Sequence, residues 1–396
     1  GAVFFILFIA AIGIALGMTP LVGELYAQGD REKSSGLLQN GILFYGLLGV
    51  AMAAVQYAVI PQMYHLGQPA EVVDMAIPYY RMLVWSMPFI MLFFTFKQFL
   101  EGVGNTKVEM FVTIAANLAN IGFNWVFIYG RLGAPEMQIE GAALGTVIAR
   151  LVECGSLVTY FFVFDKRIGY RIKDLFMKCG DHVRVYITYA IPVMVSDTLL
   201  ALGNSAVSII MGHIGASFVA ANSIISQTVR LSTVFNQGLS SASSVITGNT
   251  LGKGERDKAY HQGVTFLCLS ILIGLAAAVI ILLISPLLVE SFNITQETKD
   301  IAYQLMASVS VMMVFQTVQS VLTKGVLRGG GDTRFLMLAD ILFLWLASIP
   351  LGYLCGLVWH LSPFWIYAAL KIDWVIKSVW CIFRLRSKKW IRVVQA

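Results

Sequence analysis

The sequence predicts an all-α membrane protein of two pseudo-symmetric helical bundles, six-helix repeats of which the first lacks its first helix. Three observations predict it. Apolar stretches of membrane-spanning length recur along the 396 residues, Lys and Arg gather in alternate connections between them, and two loop motifs recur in the same order at nearly one offset. Composition sets the solvent. Hydrophobic residues make up 58% of the chain and charged ones 13%, with a mean hydropathy of +0.76. A soluble domain carries about 25% charged residues, so this chain cannot cover a globule of its size with charge, and lipid is the expected solvent for much of it.

A transmembrane helix needs about 20 mostly apolar residues. Eleven stretches qualify: 2–27, 36–60, 78–100, 108–130, 141–164, 185–211, 217–250, 260–288, 301–323, 335–358 and 363–383. The seventh, rich in Ser, Asn and Gln, is the least apolar, and its polar side chains are expected to face protein or a water-filled cavity. With the connection after the first stretch placed in the cytoplasm and the rest alternating, inside segments hold 20 Lys and Arg and outside loops only Arg131 and Lys299, the remaining six lying within spans. That asymmetry is the positive-inside signature and puts the C-terminus in the cytoplasm. It also explains the net charge of +6 as membrane topology, with no nucleic acid as partner.

The longest inside connection, 165–184, divides an N-terminal lobe at 1–164, with five helices, from a C-terminal lobe at 185–396, with six. Gly23-Glu-Leu-Tyr-Ala-Gln-Gly29-Asp-Arg-Glu-Lys33 aligns with Gly248-Asn-Thr-Leu-Gly-Lys-Gly254-Glu-Arg-Asp-Lys258, an offset of 225. Glu101-Gly-Val-Gly-Asn-Thr-Lys107 aligns with Arg328-Gly-Gly-Gly-Asp-Thr-Arg334, an offset of 227. Two motifs in one order mark an internal repeat. Both copies fall on one side, so the repeats are parallel, related by an axis along the membrane normal. The chain opens at Gly1 in an apolar run without the basic region of a signal peptide, and a twelfth span upstream is expected.

Charges inside spans are costly and are functional candidates. Asp197, two turns into the span after the central connection and close to the helix-opening Pro192, reads as a carboxylate for a proton, a sodium ion or a cationic substrate, or as a packing residue with a paired donor. Asp340 is a second such carboxylate. Asn117, Asn120 and Asn124 share one helix face with Thr113, and Thr146 joins them as cavity lining or as interhelical glue. Asn222, Gln227 and Arg230 place polar groups mid-span, Arg230 needing a carboxylate or backbone partner. Lys371 is expected to pair internally and Lys377 to snorkel to the inner surface. Glu24 and Arg81 read as interfacial, and Arg150 and Glu153 as an i, i+3 pair. The five scattered cysteines carry no disulfide or zinc pattern. GxxxxGK[ST] does not occur, so the expected energy source is an ion gradient, and neither a cofactor nor an enzymatic activity is expected.

Gly212-His-Ile-Gly215 with Ala220-Ala221-Asn222, Gly238-Leu-Ser-Ser-Ala242 running to Gly248, Gly254-Glu-Arg-Asp-Lys-Ala259, Val326-Leu-Arg-Gly-Gly-Gly-Asp-Thr333 and Gly102-Val-Gly-Asn-Thr106 together resemble the multidrug and toxic compound extrusion (MATE) family. The resemblance covers essentially the whole chain apart from the expected first helix. It implies two six-helix lobes, a V-shaped cavity, and export of drugs or organic cations against inward H⁺ or Na⁺. Asp197 resembles the family's seventh-helix acidic position, Asn120 and Asn124 its fifth-helix polar pair, and Thr146 its sixth-helix threonine; Asn124 stands where some members carry Asp. The implied protein is a multi-pass, monomeric exporter of the inner (plasma) membrane whose partners are a small-molecule substrate and membrane lipid. A lipid-linked oligosaccharide flippase, which wants a larger and more cationic cavity, is the alternative; a membrane-embedded enzyme is the alternative of another class.

Overall fold

A computed structural model describes residues 18–61, 70–165 and 180–391. The helices are α1 (Met18–Ala27), α2 (Arg31–Val59), α3 (Ala70–Trp85), α4 (Met87–Gly102), α5 (Thr106–Tyr129), α6 (Gln138–Thr159), α7 (Gly180–Ile214), α8 (Ala216–Gly252), α9 (Arg256–Ser291), α10 (Gln296–Ser320), α11 (Thr333–Phe343), α12 (Ile349–Tyr353), α13 (Pro363–Leu370) and α14 (Ile372–Arg386). No strand occurs among the described residues. The chain forms two compact units, Gly1–Ala190 and Ile191–Ala396.

Among the described residues eight helical stretches are long and apolar enough to cross a membrane: Glu32–Val59, Ala76–Gly102, Thr106–Tyr129, Gln138–Phe164, Ile191–Ile214, Arg256–Ser291, Gln296–Leu327 and Thr333–Val358. They match eight of the eleven expected spans. Of the other three, 2–27 lies outside the described residues except for α1. The 217–250 stretch is one continuous 37-residue helix, α8, whose Ser, Asn and Gln keep it below the apolarity of its neighbours. The 363–383 stretch is broken at Lys371, where φ −118° and ψ 16° separate α13 from α14. The outer surfaces are apolar, with Leu47, Leu118, Leu283, Leu287 and Leu346 exposed, as lipid requires and water would penalise.

The repeat read from the loop motifs recurs in backbone geometry. Gly29 and Gly254 have φ of +80° and +79°, and Gly104 and Gly331 +78° and +80°. Each glycine N–H bonds the carbonyl three residues back, at Tyr26, Leu251, Glu101 and Arg328. The next residue's N–H bonds the carbonyl five back, at Leu25, Thr250, Leu100 and Leu327. This is one helix-ending motif built four times, and its left-handed residue is glycine because any Cβ is strained there.

In the first unit α2 packs on α4 and α5 on α6. In the second, α10 is the buried axis, with Leu305, Met306, Val309, Met313 and Thr317 fully buried. α10 continues through a π-helical turn, Val321–Leu327, and two further π turns, Leu344–Ser348 and Leu354–Val358, interrupt the stretch from α11 onward. Such turns re-aim side chains and recur at functional sites.

Candidate functional site

The second unit buries a cluster of opposite charges. Asp340, on α11, accepts a hydrogen bond at Oδ2 from the Ser196 hydroxyl on α7. Its Oδ1 lies 3.0 Å from Lys377 Nζ on α14. The same ammonium lies 3.2 Å from Asp373 Oδ2, one turn back on its own helix. The Ser348 hydroxyl, on a π turn, donates to Asp373 Oδ1 at 2.8 Å and accepts from the Asp373 N–H at 2.9 Å. Asp197, next to Ser196, has its Oδ1 3.8 Å from the Arg328 guanidinium. All five charged groups are buried. Three carboxylates thus lie against two directly paired cations, and the nearby charge of Lys371 acts on Asp373 as a third. Desolvating ions costs several kcal/mol each, and only close pairing with further hydrogen bonds offsets it.

Lys377 therefore does not snorkel. At 2% exposure it is held by two carboxylates, and the expectation of a surface-seeking lysine is corrected. Glu24 is buried within the first unit. Pro192 sits inside α7 and the helix continues through it. Lys371 pairs as expected, its Nζ 3.4 Å from Asn204 Oδ1 and 5.1 Å over the Trp374 ring.

On α8 the structure separates the polar residues into two sets. Asn236 donates to Gln316 Oε1 on α10 at 2.7 Å, and Ser240 meets Ser320, so this part of the helix is bonded into the unit. Asn222 is half-buried and Gln227 and Arg230 are exposed. Among the described residues no side-chain hydrogen bond or ion pair is found for these three, and the partner expected for Arg230 is absent.

The first unit joins the predicted Asn/Thr set through a short chain. Thr146 donates to the Ala142 carbonyl at 2.9 Å, Asn120 to Thr146 Oγ1 at 3.4 Å, and Asn124 to Asn120 Oδ1 at 3.2 Å. A Cβ at position 145 would lie 2.4 Å from Asn124 Oδ1, so Gly145 gives α5 and α6 their approach here. Asn124 Oδ1 is buried without a hydrogen-bond partner. Asn117 stands apart from this chain: its Oδ1 accepts from Arg150 at 3.5 Å, and Arg150 also pairs with the buried Glu153. Lys97 pairs with Glu109 and lies 3.6 Å from Glu101, a bridge between α4 and α5 that sequence reading missed. Among the described residues no three His, Cys, Asp or Glu side chains come together as a metal site.

Membrane-length helices with exposed apolar flanks and charges buried inside them define a multi-pass membrane protein. The MatE family model matches residues 2–126 and 192–354. The chain belongs to the MatE family, whose members are transporters and not enzymes. It is 25% identical over 359 residues to "Probable multidrug resistance protein YoeA" of Bacillus subtilis (strain 168), covering 88% of this chain and 76% of that protein. It is 26% identical over 358 residues to "Probable multidrug resistance protein NorM" of Photorhabdus laumondii, covering 90% and 78%. Among solved structures, one described as the outward-facing conformation of a multidrug resistance MATE family transporter superposes with a TM-score of 0.87 at 19% identity, over 98% of this chain and 86% of that one. A MOP superfamily transporter from Pyrococcus furiosus superposes at 0.85 and 19%, with the same coverage.

Proposed function

We propose that this transporter is a secondary active antiporter that exports drugs or other small organic, often cationic, molecules in exchange for H⁺ or Na⁺. The observation that carries the reading is the buried charge cluster of the second unit, in which Asp197 and Asp340 sit within membrane-length helices. A carboxylate held there exists at a cost and changes its energy sharply when a cation arrives. The cation's arrival biases one conformation over another, which is what coupling requires. Asp197 is proposed as the stronger ion site, because its guanidinium neighbour stands off at 3.8 Å, a longer contact than either that Lys377 makes.

Asn120, Asn124 and Thr146 in the first unit are proposed as polar lining, the unpaired Asn124 Oδ1 being an acceptor free for an ion or substrate. Asn117, which stands apart with Arg150, is proposed as polar lining as well. Asn222, Gln227, Arg230 and Lys371 are proposed as substrate-side groups of the second unit. The two units are proposed as the two lobes of an alternating-access exporter, monomeric, in the inner (plasma) membrane with the C-terminus cytoplasmic, the side given by the Lys and Arg asymmetry. The names of the multidrug resistance relatives support the substrate class.

Dye efflux from vesicles carrying the protein, with Na⁺ and pH gradients imposed separately, tests the reading. One gradient is expected to drive efflux and its collapse to stop it. Efflux indifferent to both gradients contradicts antiport.

A further inference from the structure

We propose that Lys377 is a specificity-determining residue: its ammonium is the resident cation of a seat formed by Asp340 and Asp373, and by filling that seat it bars a free metal cation such as Na⁺. The inference rests on the reading that carboxylates of the second unit carry the coupling, and it narrows that reading to Asp197.

The geometry is that of an occupied cation site. Each carboxylate gives one oxygen to a serine hydroxyl, Asp340 to Ser196 and Asp373 to Ser348, and the other to the ammonium, at 3.0 and 3.2 Å. The seat is therefore lined by oxygens, the donor type hard cations take. The ammonium cannot leave as a free ion does, because Lys377 and Asp373 lie one turn apart on α14. No solvent competes for it, since Lys377 is 2% and Asp373 3% exposed. With Lys377 removed, two buried carboxylates would face one another without the ammonium that now lies between them, an arrangement whose desolvation cost is relieved by recruiting a cation. Asp197 differs. Its counter-charge comes from Arg328 on another element at 3.8 Å, and it takes no part in the Lys377 contacts. An incoming ion finds the Asp340–Asp373 seat filled, and at Asp197 a carboxylate held by a single, longer contact.

The test is thermal unfolding of the purified protein in detergent, with NaCl replaced by choline chloride at constant ionic strength. The Asp197→Asn background removes that carboxylate's own response. Lys377→Met is expected to gain a Na⁺-dependent rise in Tm of a few degrees that the Lys377 parent lacks, because a bound ligand stabilises the folded state. Lys377→Arg, which keeps a cation in the seat, is expected to show no gain. The double change Lys377→Met, Asp340→Asn is expected to lose it, since one carboxylate remains. Should Lys377→Met not be recovered folded, Lys377→Gln takes its place with the same expected gain. A folded Lys377→Met or Lys377→Gln protein no more responsive to Na⁺ than its parent overturns the proposal. Because the readout is binding, it holds whether or not the protein drives export, and so separates this inference from the antiport reading.

Discussion

Asp197 and Asp340 announce themselves in the sequence because a carboxylate among some twenty apolar residues has few explanations. Lys377 does not. It lies seven residues before Arg384 on the last helix, and its distance along the chain from that basic end suggested a snorkelling side chain. Depth is set by which face of α14 turns inward, and the residue that decides it, Asp340, lies 37 positions away on α11. The i, i+4 relation of Asp373 and Lys377 was the available signal. Removing one partner of a buried pair leaves an uncompensated charge, at a cost of about 3–5 kcal/mol. In Na⁺-free buffer, Lys377→Met should therefore lower the Tm well below that of the unaltered protein, while Lys371→Met, whose lysine lies against an amide and a ring face and makes no direct ion pair with Asp373, should lower it less. Equal losses from the two would remove the special position given to Lys377.

At the scale of elements, the apolar stretches gave the helices and the loop motifs gave their ends. The turn glycines were legible as repeated letters; their meaning is conformational, since Gly331 and its three counterparts share φ near +80°. Gly331→Ala should cost about 1–2 kcal/mol, the penalty of a Cβ in the left-handed region. Gly122, inside α5 with nothing within 4 Å of a built Cβ, offers the contrast: Gly122→Ala should be neutral or stabilising by up to about 1 kcal/mol. Thermal unfolding of both variants checks the pair, and a Gly331→Ala protein as stable as Gly122→Ala would mean the turn does not need its glycine. The break at Lys371 and the separation of α3 from α4 around Ser86 were not legible, because hydropathy runs on across both positions. The internal bonding of α8 was hidden for another reason. Asn236 and Ser240 look like Gln227 and Arg230 in sequence, and only the partners on α10 tell the bonded residues from the exposed ones.

For the whole molecule, family membership and the membrane-spanning character follow from the matched segments and the helices together, and antiport is the proposal built on them. The two units bury charge differently. The first joins amides and a hydroxyl around Asn124 and has part-buried ion pairs at Lys97 and Arg150; the second gathers Asp197, Asp340 and Asp373 with Arg328 and Lys377. If the second unit carries the coupling, neutralising Asp197, the carboxylate with the longest ion-pair contact, must uncouple transport without unfolding the protein. The direct measurement is gradient-driven dye efflux by Asp197→Asn in vesicles, at protein levels matched to those of the unaltered protein. Coupling through Asp197 predicts that efflux driven by the imposed ion gradient disappears while the variant remains folded and inserted; efflux at the unaltered rate would contradict it.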